Sequence, residues 1–497
     1  MRASGILMPI FSLPSRYGIG SFSKSAYQFV DMLKKAGQKY WQILPLCPTS
    51  YGDSPYQSFS TYAGNPYFID LDQLIEEKLL TRKECQACDF GDDPQDIDYG
   101  KLYENRFKLL RKAYERANVG EDQEFEAYRR ENAWWLDDYA LFMAVKDQFD
   151  GVAWNEWAED IRLRWSNAMD YYRRELYYEI EFYSYLQFVF MKQWKKLKNY
   201  ANINGIEIIG DIPIYVAFDS ADAWANPELF QFDAENLPTA VAGCPPDGFS
   251  ADGQLWGNPL YRWDYHRETG FDWWIRRIAY CSELYDVVRI DHFRGFDEYY
   301  SIPYGDTTAR NGHWEKGPGV ALFEAAKNRL GELNIIAEDL GYITDSVKKL
   351  VADSGFPGMK VLEFAFDSRE KSDYLPYTYE KNSVVYTGTH DNETIAGWYA
   401  GLDKSDLKMC TDYMNIDRIP GKEYHWDFIR LAMLSVSDLC VIPIQDYLGL
   451  DNRARINHPS TLGTNWRWRL AKGQLSASLL KEIREMTRIS GRLQNGE

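Results

Sequence analysis

Short runs of apolar, β-branched and aromatic residues recur along the chain, set apart by longer stretches of helical or loop character. In order they are YWQILPL (40–46), PYFIDL (66–71), IEIIGDIPIYV (206–216), VVRIDHFRG (287–295), NIIAEDLG (334–341), MKVLEFAF (359–366), SVVYTGTHDN (383–392) and CVIPIQDYL (440–448). Continuous apolar runs alternating with helical segments predict parallel strands covered on both faces. The intervening stretches carry helical spacing. SKSAYQFVDMLKKAG (23–37) opens on an N-cap serine, ends at Gly37, and sets Ala26, Phe29, Val30 and Leu33 on one face. PGVALFEAAKNRLGEL (318–333) and TDSVKKLVADSG (344–355) follow the same logic.

Eight strand–helix units predict an α/β fold, a (β/α)8 TIM barrel forming a single catalytic domain over 1–497. The rival doubly wound sheet lacks its signature, because YGIGSF (17–22) is not GxGxxG. Residues 72–205, rich in Tyr, Trp, Lys and Glu, predict a helical insertion subdomain between the second and third strands. Within it, 134–149 and 171–200 read as amphipathic helices. The tail beyond Asp446 predicts two or more helices and no C-terminal β-sandwich.

In such a barrel, catalytic groups come from the C-terminal ends of strands. Asp211, Arg289 with Asp291, Glu338 with Asp339, His390 with Asp391, and Asp446 all follow apolar runs there. Acids on several strands of one barrel predict an acidic pocket at its mouth. Glycoside cleavage with retention needs such a pocket: one carboxylate attacks the anomeric carbon, and a carboxylic acid protonates the leaving oxygen. Arg289 stands two residues before Asp291, on the same side of the strand. A guanidinium there is expected to lower the Asp291 pKa, which suits a nucleophile. Glu338 has no cation within two residues, and desolvation is expected to raise its pKa, which suits the general acid/base.

Composition then narrows the partners. The formal net charge of −18 argues against nucleic acid. Aromatic residues reach 16 %, most of them expected in the core and a minority along a groove that suits sugar rings. Seven scattered cysteines point to reduced thiols and a cytoplasmic protein, with the lone CxxC of Cys85 and Cys88 incidental. The N-terminus does not read as a signal peptide, and no apolar run is long enough for a membrane helix. Six histidines form no standard ligand pair, and DxDxDG, GxSxG and P-loop patterns are missing. No metal or cofactor is expected.

RIDHFRG with Asp291, AEDLG with Glu338 and GTHDN with Asp391 resemble the catalytic signatures of the α-amylase superfamily. The closer resemblance is to the 4-α-glucanotransferases (amylomaltases) of glycoside hydrolase family 77. It extends through 40–70, IIGDIPIYV (208–216), PPDGFSADGQLWGNPLYRW (245–263), GMKVLEFAFD (358–367), and RINHP with NWRWR (455–469). The resemblance implies Asp291 as nucleophile, Glu338 as acid/base and Asp391 as transition-state stabiliser. It implies that His390, Arg289 and Asp211 bind the sugar at the cleavage point and that Tyr56 stacks on it. It also implies a lid over 245–265, centred on the loop 248–259, with Trp256 on the acceptor side; Gly248 stands where some relatives have an aromatic residue. Tyr51 and Tyr99 are aromatic candidates for a second glucan site. The implied substrates are maltodextrins, amylose or starch-type α-glucans, with glucose as an acceptor and cyclisation of long chains as a side reaction. A monomer or weak homo-oligomer is expected. The alternatives are an α-glucan hydrolase using the same acids and a non-catalytic glucan-binding protein.

Overall fold

The computed structural model describes residues 2–50, 52–246, 250–341, 343–417 and 423–494. Twelve strands are present among them: β1 (Ala3–Leu7), β2 (Tyr40–Gln42), β3 (Glu207–Pro213), β4 (Ala240–Cys244), β5 (Gln254–Pro259), β6 (Val287–Asp291), β7 (Glu298–Pro303), β8 (His313–Lys316), β9 (Ile335–Ala337), β10 (Gly358–Val361), β11 (Ser383–Tyr386) and β12 (Leu439–Pro443). Eight of them close a barrel in the order β1-β12-β11-β10-β9-β6-β3-β2. Every pairing in it is parallel. This is the predicted (β/α)8 architecture.

One strand differs from the prediction. PYFIDL is not a strand: Pro66–Phe68 is a 3-10 turn, and the helix Leu71–Glu76 follows at once. Two side chains decide this. Asn65 accepts the Tyr67 N–H, and Asp70 accepts the N–H groups of Asp72 and Gln73, so each starts a helical turn. The missing eighth strand is ASGIL at 3–7, which pairs with β12 on one side and β2 on the other.

Alternation along the strands separates two apolar surfaces. Leu7, Ile209, Ile336, Met359, Val361, Val384, Tyr386 and Val441 form one cluster. Their neighbours Ile6, Ile208, Val288, Ile290, Val385 and Ile442 belong to the larger core shared with the helices. The first cluster fills the barrel interior. The Tyr386 hydroxyl donates to Gln42 Oε1 at 2.8 Å, and β11 and β2 are not neighbours, so this bond crosses the barrel. Asp211, Arg289, Asp291 and Glu338 keep the same parity as Ile209, Val287 and Ile336, and therefore rise from the interior towards the mouth.

Between β2 and β3 the chain is helical, with Tyr99–Arg116, Gln123–Gln148, Ser166–Glu175 and Tyr177–Ile203 as its longest elements. The stretch 171–200 is two helices rather than one, broken at Leu176. The last helix anchors this layer to the barrel: Trp194 is buried, and its indole donates to the Leu284 carbonyl at 3.1 Å. Beside it, Gly210 leaves room for Tyr285, whose ring atoms lie 2.1 Å from where a Cβ would sit. Beyond Tyr447 the described residues hold one α-helix, Ala477–Ile489, and a 3-10 turn at Asn452–Ala454. No described helix is long and apolar enough to cross a membrane.

The segment read as a lid loop contains strand. β5-β4-β7-β8 form an antiparallel sheet built from chain that follows β3 and β6. Trp256 lies on β5. Gly248 and Tyr51 fall outside the described residues.

Candidate active site

The barrel register assembles the centre of the site. β3 and β6 pair with Asp211 opposite Arg289 and Pro213 opposite Asp291. Opposed residues of parallel strands point to the same side, so the guanidinium and the carboxylate meet inside the barrel. Arg289 Nη1 donates to Asp211 Oδ1 at 2.8 Å and Oδ2 at 2.6 Å, and to Asp291 Oδ1 at 3.1 Å. Asp211 and Arg289 are buried, while 27 % of the Asp291 side chain is exposed. The strongest ion pair is thus at the base, and Asp291 stands above it at the mouth.

On the other side of β6, Ile290 pairs with Ala337. Asp291, the last residue of β6, and Glu338, the first residue after β9, therefore stand at one level. Glu338 is buried, and both of its oxygens are held: Oε2 accepts the His292 N–H at 2.6 Å, and Oε1 accepts the Leu340 N–H at 2.8 Å. These bonds favour the ionised form. Burial and the neighbouring Asp291 charge outweigh them and Arg289, pushing the Glu338 pKa up to about 7.

Asp291 departs from the sequence expectation. Arg289 does lower its pKa, but burial is the larger effect, and Asp211 and Asp391 add to it, so the pKa rises to about 6. Asp291 touches Arg289 and is partly exposed, whereas Glu338 is buried.

The opposite wall comes from the loop after β11. His390 is buried, and its Nε2 lies 3.3 Å from Asp391 Oδ2. Asn457 Nδ2 donates to Asp391 Oδ1 at 2.6 Å, and Arg455 Nη2 donates to the Asp391 carbonyl at 2.7 Å. Burial opposes the Asp391 charge, yet His390, Asn457 and Arg289 together hold its pKa at about 2. Burial also opposes the His390 charge, but Asp391 outweighs it and raises the imidazole pKa. Tyr56 closes this wall. Its hydroxyl donates to Asp211 Oδ2 at 2.9 Å, and its ring stacks on His390 at 5.0 Å and 13°.

Trp256 stands with Glu338 rather than with Asp391. It meets His292 edge-on at 4.8 Å, and its indole donates to Gln254 Oε1 at 3.0 Å. His292 takes a left-handed backbone (φ 54°), which is uncommon for a residue with a Cβ and marks a constrained turn. Burial and, to a smaller degree, Arg294 push the His292 pKa down to about 3, so the ring is neutral. Its Nε2 is buried with no hydrogen-bond partner among the described residues.

The eight residues singled out from the sequence therefore lie around one mouth. Arg455, Asn457 and Trp466 were missed as individuals, although RINHP and NWRWR carry them. Trp466 packs on both Tyr56 and His390 at 5.9 Å. Tyr99 sits behind this wall, half-buried, its hydroxyl on the Trp466 carbonyl at 2.8 Å. All seven cysteines are free thiols, and no cluster of three His, Cys, Asp or Glu suited to a metal occurs among the described residues.

Known proteins match this fold and chain along nearly the whole length. The family model described as 4-alpha-glucanotransferase, glycoside hydrolase family 77, matches residues 8–475. The 4-alpha-glucanotransferase of Clostridium butyricum is 49 % identical over 98 % of this chain and all of its own. The one from Streptococcus pneumoniae is 50 % identical over 99 % of this chain and 98 % of its own. In three dimensions, the amylomaltase from Streptococcus agalactiae, solved with acarbose, superposes with a TM-score of 0.96 at 44 % identity, covering 99 % of this chain and all of that one. By its sequence and its fold alike, this chain belongs to the 4-alpha-glucanotransferase family, glycoside hydrolase family 77.

Proposed function

We propose that this chain moves α-1,4-glucan segments from a maltodextrin donor to the 4-hydroxyl of an acceptor glucan or glucose, by double displacement at Asp291. The 4-alpha-glucanotransferase activity follows from the family. One observation carries the mechanism: Asp291 and Glu338 stand level at the ends of neighbouring strands, Asp291 on Arg289 and partly exposed, Glu338 buried, and burial raises both pKa values so that the pair can hold a proton. One carboxyl is thus ready to attack while the other holds a proton.

Glu338 gives its proton to the glycosidic oxygen as the Asp291 carboxylate bonds to the anomeric carbon. The carbon–oxygen bond breaks, and the shortened glucan leaves with the proton. The donor remains as an ester on Asp291. An acceptor 4-hydroxyl then loses its proton to Glu338 and attacks the same carbon, releasing Asp291 as carboxylate. Asp391, ionised beside His390, steadies the positive charge of both transition states. Arg289, Asp211, His390 and Tyr56 grip the reacting sugar, and Trp256 borders the acceptor. In this reading, residues 72–205 form an insertion subdomain and 245–265 a lid over the cleft. A long chain whose own far end serves as acceptor closes into a ring. Maltodextrins in the cytoplasm are the substrates, and acarbose bound to the similar Streptococcus agalactiae amylomaltase supports a carbohydrate-like ligand.

Incubation with maltotriose tests this. Transfer gives glucose and a ladder of longer maltodextrins at a constant number of reducing ends. Reducing ends that grow in step with cleavage make the chain a hydrolase and overturn the reading.

A further inference from the structure

Asp446 lies just past β12, 1 % exposed, and touches neither Asp291 nor Glu338 through any hydrogen bond. Its two oxygens go to the two ends of a single loop. Oδ2 accepts the Thr387 hydroxyl at 2.5 Å, and Oδ1 accepts the Ile395 N–H at 2.8 Å. Thr387 follows β11 directly, and Ile395 opens the helix Ile395–Gly401. Between them runs 388–394, which bears both His390 and Asp391. One carboxyl from the helical turn Ile444–Tyr447, after the neighbouring strand, thus pins both the exit and the return of the segment that forms one wall of the cleft.

The other restraints act inside the loop or on its far side. Asn392 Oδ1 takes the Thr389 N–H and hydroxyl, while Asn457 and Arg455 hold Asp391 from the 455–457 stretch. Asn452 Oδ1 accepts the Thr394 N–H near the return end. Among the described residues, only Asp446 ties the two ends to each other. A loop whose ends drift apart carries its carboxylate away from the reacting carbon, and misplacement by about 1 Å costs about a hundredfold in rate.

We propose that Asp446 is a positioning residue for glucan transfer, acting by fixing the ends of the 388–394 loop and so the site of the Asp391 carboxylate. An amide can replace it: the asparagine oxygen accepts from Ile395 and its NH2 donates to the Thr387 hydroxyl. The inference rests on Asp391 acting at the reacting sugar, as proposed above.

The test compares Asp446→Ala, Asp446→Asn and Thr387→Val with Asp391→Asn as control, each in the full-length chain, by kcat and KM for maltotriose and by Tm. In Asp446→Ala, kcat should fall by about tenfold or more while KM stays within about threefold. Asp446→Asn should restore kcat to within about threefold of the parent. Should the alanine variant not fold, Thr387→Val removes only the hydroxyl and should lower kcat severalfold. Unchanged kcat in a folded Asp446→Ala or in Thr387→Val, or a loss equal to the unfolded fraction, overturns the proposal. If Asp391→Asn remains fully active, the reading of the site has failed instead. If it is inactive while Asp446→Ala is not, only the role of Asp446 has failed.

Discussion

Arg289 and Asp211 face each other across β3 and β6, and a single guanidinium nitrogen serves both Asp211 oxygens and one oxygen of Asp291. Register, not loop geometry, brings the three together. The pair is almost fully dry, so its two members depend on each other: removing one leaves the other charged and uncompensated.

Arg289→Ala is therefore expected to cost about 3–5 kcal/mol of folding stability, the usual penalty for breaking a buried pair. Turnover should be lost as well, because Asp291 loses its contact. Denaturant unfolding of the parent and the variant measures the first effect. A change below about 1 kcal/mol would show that Asp211 finds another partner or a proton.

The pH dependence of kcat/KM should be bell-shaped. Activity rises as the pair loses its first proton and falls as it loses its second, with the limbs around pH 6 to 7. The two carboxyls titrate together, so the observed limbs belong to the pair. Glu338→Gln, assayed with an α-maltosyl fluoride donor that needs no acid to depart, should lose the alkaline limb of the glycosylation step. An alkaline limb that survives in that variant assigns it to another group.

Asn457 Nδ2 is the shortest contact of the Asp391 side chain, at 2.6 Å. Hydrogen bonds to a charged group contribute about 1.5–3 kcal/mol. Asn457→Ala should lower kcat/KM by about tenfold to a hundredfold, with the acid limb of the profile left in place, because Asp391 starts from a pKa of about 2 and stays well below Asp291. Asn457→Asp should be worse, since it sets two carboxylates against each other.

Glu363 lies buried under the same loop, with Oε1 unpartnered among the described residues and 2.6 Å from the position a Cβ would take on Gly388. Burial first, then Asp446 and Glu393, push its pKa well above the usual carboxylate range. The folded protein thus keeps a proton that the unfolded chain releases near pH ~4.3. The stability tied to that proton is complete below this value and is lost as pH rises towards the folded pKa. Glu363→Gln removes the loss. The Tm of the variant minus that of the parent should grow between pH 5 and pH 8; a constant difference would mean that Glu363 is ionised throughout.

Much of this was legible in the sequence because barrel strands end where their chemistry begins. VVRID and NIIAE carry both the apolar alternation that fixes them in the sheet and the acids that follow it. What escaped was local. ASGIL has two small residues and a serine in five positions and carries little strand signal, whereas PYFIDL has the apolar content of a strand but is preceded by Asn65 and closed by Asp70, both helix caps. The antiparallel sheet above the mouth went unread because AVAGC and HWEK are short and weakly patterned. The Asp291 pKa was misjudged for a different reason: a neighbour in sequence is visible, whereas burial is a property of the fold.

The seam between β1 and β12 has a consequence for how the protein is made. When residue 386 leaves the ribosome, seven of the eight barrel strands exist, but β1 and β11 still lack the strand that joins them. Synthesis at about 5–20 residues per second keeps β1 waiting roughly 20–90 s for its partner. For the last 57 residues of that wait, about 3–11 s, the β1 and β11 edges and the apolar interior between them stay open to other nascent chains. The last strand added is thus the one that ends the chain's exposure to its neighbours in the cell.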